Sequence, residues 1–271
     1  MTDSSSSVSD LPSRLDTTVP HSARIWNYLL GGKDNFEVDR MVAEQVKQGY
    51  PEIVDIAVAG RKFLGRAVRF LAGEAGVHQF LDLGTGLPTA DNTHDVAQAI
   101  APESKIVYVD NDPLVLVHAR ALLTSSPEGV TDYIDDDVHY PGKILRAAAQ
   151  TLDFTQPIAL MMLGILGHVT DDDQPGPAQI VDSFVDALPS GSYLVINDSI
   201  VTAETVDAVQ TARSGGADYH LRSPEQIEGF FHGLDLVEPG VVSTPLWRPN
   251  ADAGPKELQE RHVYCGVARK P

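Results

Sequence analysis

Four residues between positions 82 and 110 have the types and spacing of a site for a nucleoside-containing ligand. In the stretch LDLGTGLPT, Asp82 stands two residues before Gly84, and Gly86 follows after one further residue. Glycine at such positions lets a loop backbone approach a ligand closely. The next apolar stretch ends in YVDND, where Asp110 can accept hydrogen bonds from ribose hydroxyls. The combination predicts a nucleoside site, whereas a Gly-x-Gly pair alone also occurs in a tight strand-to-helix turn.

The acidic residues distinguish two classes of ligand. A nicotinamide dinucleotide site needs a third glycine for close helix packing, and Thr89 stands in its place. Asp82 would also repel a pyrophosphate, and no compensating arginine is visible nearby in the sequence. The same carboxylate favours the sulfonium and amino groups of S-adenosylmethionine (SAM). One aspartate of YIDDDV can accept from the adenine amine, and Asp135, Asp136 and Asp137 are the candidates.

The stretch YLLGGKDNF, residues 28–36, resembles a phosphate-binding loop but lacks residues that such a loop needs. A P-loop has a glycine five positions before its Gly-Lys pair and a Ser or Thr after the lysine. Asn27 and Asp34 occupy these positions, and the aspartate would repel a phosphate. The segment is better interpreted as a helix terminator and turn, with Gly31 or Gly32 in the left-handed conformation.

The elements that must position these residues alternate between short apolar strands and helices. Helical stretches separate the strands QFLDLG, KIVYVD, DYIDDD, IALMML and SYLVIND, as is typical of a parallel sheet with helices on both faces. The helix after the second strand should begin with Asp112 as N-cap and Pro113 in its first turn. Two final strands, GLDLVEPGVV and RHVYCGVARK, have no helix between them and should pair antiparallel. We therefore predict an α/β fold.

The first 76 residues have no strand pattern. Residues 1–20 are serine-rich and poor in apolar residues, which predicts a disordered tail. Helices are predicted over residues 23–30 and 37–48 and from residue 51 to 73 or 76. The chain would then consist of this tail, a helical segment over residues 21–76 and the strand-containing core over residues 77–271.

Composition excludes several kinds of partner. The net charge of -18 argues against nucleic acid and against an anionic membrane surface. No run approaches the ~18 apolar residues of a membrane span. The single cysteine, Cys265, is expected to be a small buried hydrophobe. MTDSSSSVSD lacks a signal-peptide pattern, so we expect a cytoplasmic protein, with no metal site. The oligomeric state stays open.

Seven stretches resemble the S-adenosyl methyltransferase family long known only as a domain of unknown function. They are ARIWNYLLGGKDNF, FLDLGTGLPTADNTHDVAQ, YVDNDPLVLVHARALL, YIDDDVHYP, GSYLVI, FFHGLDLVEPGVV and WRP. The resemblance implies the Rossmann-like class I methyltransferase fold, with a seven-stranded sheet whose last strand is antiparallel. One stretch departs from the family pattern: LGILGHV, which contains His168, replaces a leucine-histidine-phenylalanine run.

The resemblance also implies a cofactor site for SAM. By position, Asp82, Gly84, Thr85 and Gly86 should surround the methionine part, Asp110 and Asn111 should bind the ribose, and Asp137 and Val138 the adenine. Residues 28–36 would then belong to an amino-terminal helical cover over the cofactor. In that interpretation Tyr28 and Asn35 offer hydrogen bonds and Lys33 pairs with the methionine carboxylate. A purely structural helix terminator is the alternative.

Catalytic residues are less clearly specified. Methyl transfer from a sulfonium depends largely on positioning, and a hydroxyl acceptor would also need a general base. His168 and Asp198 each follow the carboxyl end of a strand, the edge at which open α/β sheets bind ligands. A structural histidine and a helix cap are the alternatives for these two residues. Tyr219, His220 and Arg222 fall where this fold often builds acceptor sites.

Three functions follow from these observations. The leading hypothesis is a SAM-dependent methyltransferase that acts on a small molecule. The second is a protein that binds SAM without methyl transfer, as a sensor or partner subunit. The third is an NAD-dependent oxidoreductase, which Thr89 and Asp82 disfavour.

Overall fold

A computed structural model describes residues 15–89, 91–122 and 125–271 of the chain. Within these ranges eight strands form one sheet: β1 (Gln79–Leu83), β2 (Lys105–Asp110), β3 (Val130–Asp135), β4 (Ala159–Leu163), β5 (Tyr193–Ser199), β6 (Asp235–Leu236), β7 (Val242–Ser243) and β8 (Val263–Arg269). The strand order is β3-β2-β1-β4-β5-β8-β6, and β7 also pairs with β8.

The predicted α/β architecture is confirmed, including the antiparallel last strand. Strands β1 to β5 are mutually parallel, and β8 runs antiparallel to β5, β6 and β7. The predicted count of seven is wrong by one, because GLDLVEPGVV forms two short strands instead of one. Pro239 has no N–H to donate and Gly240 has φ +84°, so the chain turns between β6 and β7.

Nine α-helices lie within the described ranges: α1 (Ser22–Leu29), α2 (Glu37–Gly49), α3 (Ile53–Arg69), α4 (Thr93–Ile100), α5 (Pro113–Leu122), α6 (Pro141–Ala148), α7 (Pro177–Ala187), α8 (Ala203–Ser214) and α9 (Pro224–Gly229). The three predicted amino-terminal helices correspond to α1, α2 and α3. A π-helical turn, Phe70–Glu74, extends α3. No helix in the described part of the chain is both long and apolar enough to cross a membrane.

Alternate residues of the strands face two hydrophobic layers. On one side of β2, Ile106 and Tyr108 pack in a cluster with Phe63 of α3 and with residues of α4. On the other side, Val107 and Val109 pack in a cluster that includes residues of α6 and α7. The period of two along a strand produces this division. The sheet therefore has helices on both faces, as predicted.

A buried ion pair fixes α1 to the start of α5. Arg24 Nε lies 2.9 Å from Asp112 Oδ2, and both side chains are at most 4% exposed. Asp112 also accepts a hydrogen bond from Leu114 N at 2.9 Å, as expected of the predicted N-cap. Buried charges are tolerated when they are paired, so this pair holds α1 against the start of α5.

Two further predictions concern the tail and the cysteine. Residues 1–14 of the predicted tail lie outside the described residues. Residues 15–20 have no regular secondary structure, and Arg24 donates to the carbonyl oxygen of Asp16 at 2.9 Å. Cys265 is completely buried in β8, which confirms its predicted role as a core residue.

Candidate functional site

A cavity of about 340 Å³ lies over the carboxyl ends of β1, β2, β4 and β5. Small-molecule sites have volumes of about 300–1,000 Å³. Residues of α1 and α3 line the facing wall, among them Trp26 and Ile56, together with Leu30 just after α1. Ten of the predicted site residues line this cavity: Asp82, Gly84, Thr85, Gly86, Asp110, Asn111, Asp137, Val138, His168 and Asp198.

The loop after β1 takes a conformation that favours glycine at two positions. Gly84 and Gly86 have φ of +69° and +66°, which L side chains rarely adopt. Gly84 N and Thr85 N donate to Val109 O at 2.9 and 3.3 Å, which attaches the loop to β2. A Cβ on Gly84 would lie 2.7 Å from the Ile165 side chain, whereas a Cβ on Gly86 would meet no atom within 4 Å. The loop is therefore tightly packed at Gly84 and open at Gly86.

Asp110, at the end of β2, closes the glycine loop. Its two carboxylate oxygens accept hydrogen bonds from Gly86 N at 2.8 Å and from Asp112 N at 2.9 Å. Burial raises the pKa of Asp110, and these two hydrogen bonds act against the rise. A carboxylate has about four acceptor positions, so Asp110 can still accept from the hydroxyl groups of a ligand.

The acidic run at the end of β3 is divided between the cavity and the surface. Asp136 and Asp137 line the cavity, whereas Asp135 is exposed and lies outside the lining. Burial raises the pKa of Asp137, but hydrogen bonds from His139 and Asn111 outweigh burial and leave this pKa below its usual value. An ionised acceptor therefore lies at this end of the cavity. The predicted contact between Asp137 and adenine stays a prediction.

Asp82 is 3% exposed and accepts a hydrogen bond from Thr93 Oγ1 at 2.6 Å. Burial raises the pKa of Asp82 to about 6, while the Thr93 hydrogen bond and the positive charge of Arg61 act in the opposite direction. Arg61 reaches the cavity from α3. The inference from the sequence that no arginine lies near Asp82 is therefore wrong. The packing of α3 over the sheet brings the two residues together, and the sequence around Asp82 does not show it.

His168 ends a short 3₁₀ helix, Leu166–His168, that follows β4. Burial lowers the pKa of His168 to about 4, against a hydrogen bond between the side chain and the backbone of Asp218. Its ring packs edge-on against Tyr219, with 5.2 Å between the ring centroids. The imidazole is therefore neutral at physiological pH and is a weak base.

Asp198, near the end of β5, is completely buried and accepts three hydrogen bonds. The donors are the Tyr219 hydroxyl, Ser199 N at 3.0 Å and Arg222 Nη1 at 3.2 Å. Burial raises the pKa of Asp198 to about 6, and the Tyr219 hydrogen bond and the Arg222 charge act against the rise. Arg222 is held in turn by two backbone carbonyls, each at 2.7 Å. Asp198 and Tyr219 both line the cavity, so this buried cluster forms its β5 side.

Some lining residues were not predicted from the sequence. Asn197 is 6% exposed, and its side chain makes no hydrogen bond to any described residue. Its place in SYLVIND, just before Asp198, is a polar position at a strand end and is a signal that could have identified it. Trp26 and Arg61 lie inside helices, where no local pattern distinguishes a residue that faces a ligand from one that faces solvent.

The end of α1 shows how YLLGGKDNF folds. Gly31 has φ +81°, Gly31 N donates to Tyr28 O at 2.9 Å, and Gly32 N donates to Asn27 O at 2.8 Å. This is the Schellman arrangement, in which the final carbonyls of a helix are satisfied by a left-handed glycine and the residue after it. The predicted helix terminator is confirmed, with Gly31 in the left-handed position.

Tyr28, Lys33 and Asn35 do not line the cavity. The Tyr28 hydroxyl donates to Glu44 of α2 at 2.8 Å, and Lys33 is exposed. Asn35 Nδ2 donates to Asn27 Oδ1 at 2.8 Å, and Asn27 does line the cavity. The structure therefore gives Asn35 a positioning role, and direct contacts of these three residues with a cofactor stay predictions.

Two features define a class I methyltransferase. One is a parallel sheet with an antiparallel strand beside β5, and the other is a glycine loop that faces an aspartate at the end of β2. The family comparison identifies the group within that class. The chain belongs to the S-adenosyl methyltransferase family, whose model matches residues 9–271. It is a SAM-dependent methyltransferase. The comparisons give no support to the oxidoreductase or to SAM binding without transfer.

Two solved structures are similar over nearly their whole lengths. A DUF574 family protein from Streptomyces avermitilis is 41% identical, with TM-score 0.88 over 95% of this chain and 100% of that one. A candidate methyltransferase from Thermobifida fusca is also 41% identical, with TM-score 0.86 over 96% and 98%. A search of curated proteins found no match.

More distant structures share the fold alone. Magnesium protoporphyrin IX methyltransferase from Synechocystis, with S-adenosylhomocysteine (SAH) bound, is 12% identical, with TM-score 0.53 over 91% of this chain and 93% of that one. Human N-acetylserotonin methyltransferase in complex with SAM is 13% identical, with TM-score 0.50 over 97% and 66%.

Proposed function

We propose that this chain transfers the methyl group of SAM to a neutral small molecule bound on the β5 side of the cavity. The observation that carries the proposal is the covering of the cavity by α1 and α3, with Trp26 and Ile56 in its wall. The body of a folded protein or a nucleic-acid duplex is too large for a cavity of about 340 Å³, whereas a small molecule fits this volume. The net charge of -18 further disfavours nucleic acid.

The charged residues of the cavity suit the different parts of SAM. Asp110 retains acceptor capacity for ribose hydroxyls. Asp82 and Arg61 present opposite charges near the glycine loop, which suits the amino and carboxylate groups of an amino acid. The space at Gly86 leaves room for the ligand. When bound, SAM supplies a methyl group already activated by a sulfonium, so these residues act mainly by positioning.

The β5 side of the cavity suits a neutral acceptor. His168 is neutral, and Asp198 is already paired with Tyr219 and Arg222. A charged acceptor would therefore lack an available opposite charge among the described residues on this side, and burying an unpaired charge is costly. The Asn197 amide has no hydrogen-bond partner among the described residues, so it can bind a hydroxyl or carbonyl group of the acceptor.

The buried cluster can also remove a proton from a hydroxyl acceptor. Asp198 is the better base, because its pKa of about 6 lies closer to physiological pH than the pKa of about 4 of His168. Tyr219 stands between Asp198 and the acceptor. The acceptor proton passes to the Tyr219 oxygen while the phenolic proton of Tyr219 passes to Asp198. In the same step the acceptor oxygen would bond to the methyl carbon, and the methyl–sulfur bond would break with its electron pair left on sulfur, so that SAH leaves. Two protons move, the net result is the transfer of one proton from the acceptor to Asp198, and the tyrosine is regenerated.

Labelled methyl transfer tests the proposed function. The protein is incubated with SAM that carries an isotope-labelled methyl group and with an extract of Streptomyces avermitilis, which has a 41% identical relative. We expect label in the small-molecule fraction, detected by mass spectrometry, and none in protein or nucleic acid. The Asp110→Asn variant should strongly reduce the labelling. Label in the macromolecular fraction would contradict a small-molecule acceptor, as would no labelling by a protein that binds SAM.

A further inference from the structure

A second cavity, of about 740 Å³, lies between α3 and the segment 245–261 that precedes β8; we refer to it as the α3 groove. Six basic side chains line it: Arg61, Lys62, Arg66, Arg69, Lys256 and Arg261. The acidic side chains in its lining are Asp55, Asp91 and Glu257. The groove is thus basic, although the whole chain has 20 basic and 38 acidic residues.

The spacing along α3 concentrates the positive charge on one helix face. Arg61, Gly65 and Arg69 follow one another at intervals of four residues, and Lys62 and Arg66 form a neighbouring row. A Cβ on Gly65 would lie 3.1 Å from Arg69 Nη1, so the guanidinium of Arg69 lies across the glycine. A larger residue at position 65 would displace that guanidinium.

Arg66 of the groove is held in place by the backbone and lies near enough to Arg69 to be repelled by its charge. Arg66 donates to the carbonyl oxygens of Trp247 at 2.9 Å and of Thr244 at 2.6 Å, which fixes its guanidinium. Burial lowers the pKa of Arg66, and the nearby charge of Arg69 also acts to lower it. An anion placed between two guanidinium groups would relieve this repulsion and bind both.

The remaining cations differ in their pairing. Lys62 Nζ lies 2.5 Å from Glu257 Oε1, and Arg261 Nη2 lies 3.3 Å from Asp55 Oδ2. Arg69 and Lys256 are exposed and form no ion pair with any described residue. The positive charges of Arg69 and Lys256 are therefore available to a ligand.

We propose that the α3 groove binds a small polyanion, a molecule that carries a phosphate chain. Guanidinium groups bind such anions with paired hydrogen bonds, and the volume is that of a small-molecule site. Arg61 lines both the α3 groove and the cofactor cavity, so the two sites meet at this residue. The proposal does not depend on the identity of the methyl acceptor.

Calorimetric titration with inorganic pyrophosphate tests the proposal. The wild-type protein should bind it, more weakly as ionic strength rises. The double variant Arg69→Gln, Lys256→Gln should bind at least about tenfold more weakly, because it loses two charged hydrogen-bond donors. Lys47→Gln with Lys143→Gln is the matched control, since these exposed lysines lie outside both cavities. The control should bind as the wild type does.

Three results would overturn the proposal. The first is that the wild type does not bind pyrophosphate, and the second is equal affinity in all three proteins. The third is tighter binding of a hexaglutamate peptide than of pyrophosphate, because the groove would then dock a protein segment. SAH titration of each sample shows that the protein is folded. It also distinguishes failure at the groove from failure of the cofactor site.

Discussion

Replacing Asp110 with asparagine changes one atom at the centre of the cofactor site. In the wild type, its carboxylate accepts from Gly86 N at 2.8 Å and from Asp112 N at 2.9 Å. An asparagine has one acceptor oxygen, and its NH₂ group would face one of these two N–H donors. The variant therefore loses a hydrogen bond within the protein and an acceptor for the ribose.

The size of both effects follows from these contacts. A buried N–H left without a partner costs about 1–3 kcal/mol of folding free energy. A lost hydrogen bond to a charged group costs about 1.5–3 kcal/mol of binding free energy, which raises the dissociation constant of SAH roughly 10- to 150-fold.

Calorimetry with SAH measures the binding effect, and a thermal melt shows that each protein is folded. Asp135→Asn is the matched control, because Asp135 is the register partner of Asp110 on β3 but is exposed and outside the cavity. Its affinity for SAH should equal that of the wild type. A folded Asp110→Asn protein with wild-type affinity would refute the assignment, and so would equal losses in both variants.

Three further predictions concern stability, pH and catalysis. Arg24→Met should lower the free energy of unfolding in urea by up to about 3–5 kcal/mol, because it leaves the buried Asp112 with His21 Nδ1, at 3.3 Å, in place of the guanidinium. A loss below about 1 kcal/mol would contradict the anchoring of α1. Burial raises the pKa of Asp82 to about 6, so the folded chain binds this proton more tightly than the unfolded chain. The free energy of unfolding of the wild type, relative to that of Asp82→Asn, should therefore rise by up to about 3 kcal/mol as pH falls from about 6 to about 4. If the difference between the two free energies does not vary with pH, the pKa of Asp82 is not raised. Once an acceptor is known, Tyr219→Phe should lower kcat about 100-fold or more with SAH affinity unchanged, and retention of kcat would exclude proton transfer through Tyr219 to Asp198.

The site residues at the carboxyl ends of the strands could be predicted from the sequence, because the geometry of a parallel sheet brings them together. Parallel strands place the residues that follow their carboxyl ends side by side. Recognising β1 and β2 was therefore enough to group Asp82, Gly84 and Gly86 with Asp110. The same logic placed His168 and Asp198 at the cavity, after β4 and β5.

The wall of the cofactor cavity formed by α1 and α3 could not be predicted in this way. Arg61 reaches Asp82 only because α3 packs across the sheet, and a helical stripe does not specify where its polar face ends. The family resemblance implied that Tyr28 and Asn35 belong to a cover over the cofactor. In the structure the Tyr28 hydroxyl donates to Glu44 and the Asn35 amide donates to Asn27, contacts that depend on how the glycine turn packs. Contact of either residue with a cofactor stays a prediction.

Hydrogen exchange with and without SAH tests the central claim most directly, namely that SAM binds between the glycine loop and the helices that cover it. SAH should slow exchange at amides of residues 83–87, at the ends of β2 and β3, and between residues 26 and 36, because a ligand in the cavity stabilises both walls. Protection by SAH at other surfaces, with none at residues 83–87, would contradict this location. Protection of the loop without any change between residues 26 and 36 would show that the amino-terminal segment is permanently packed and is not a cover.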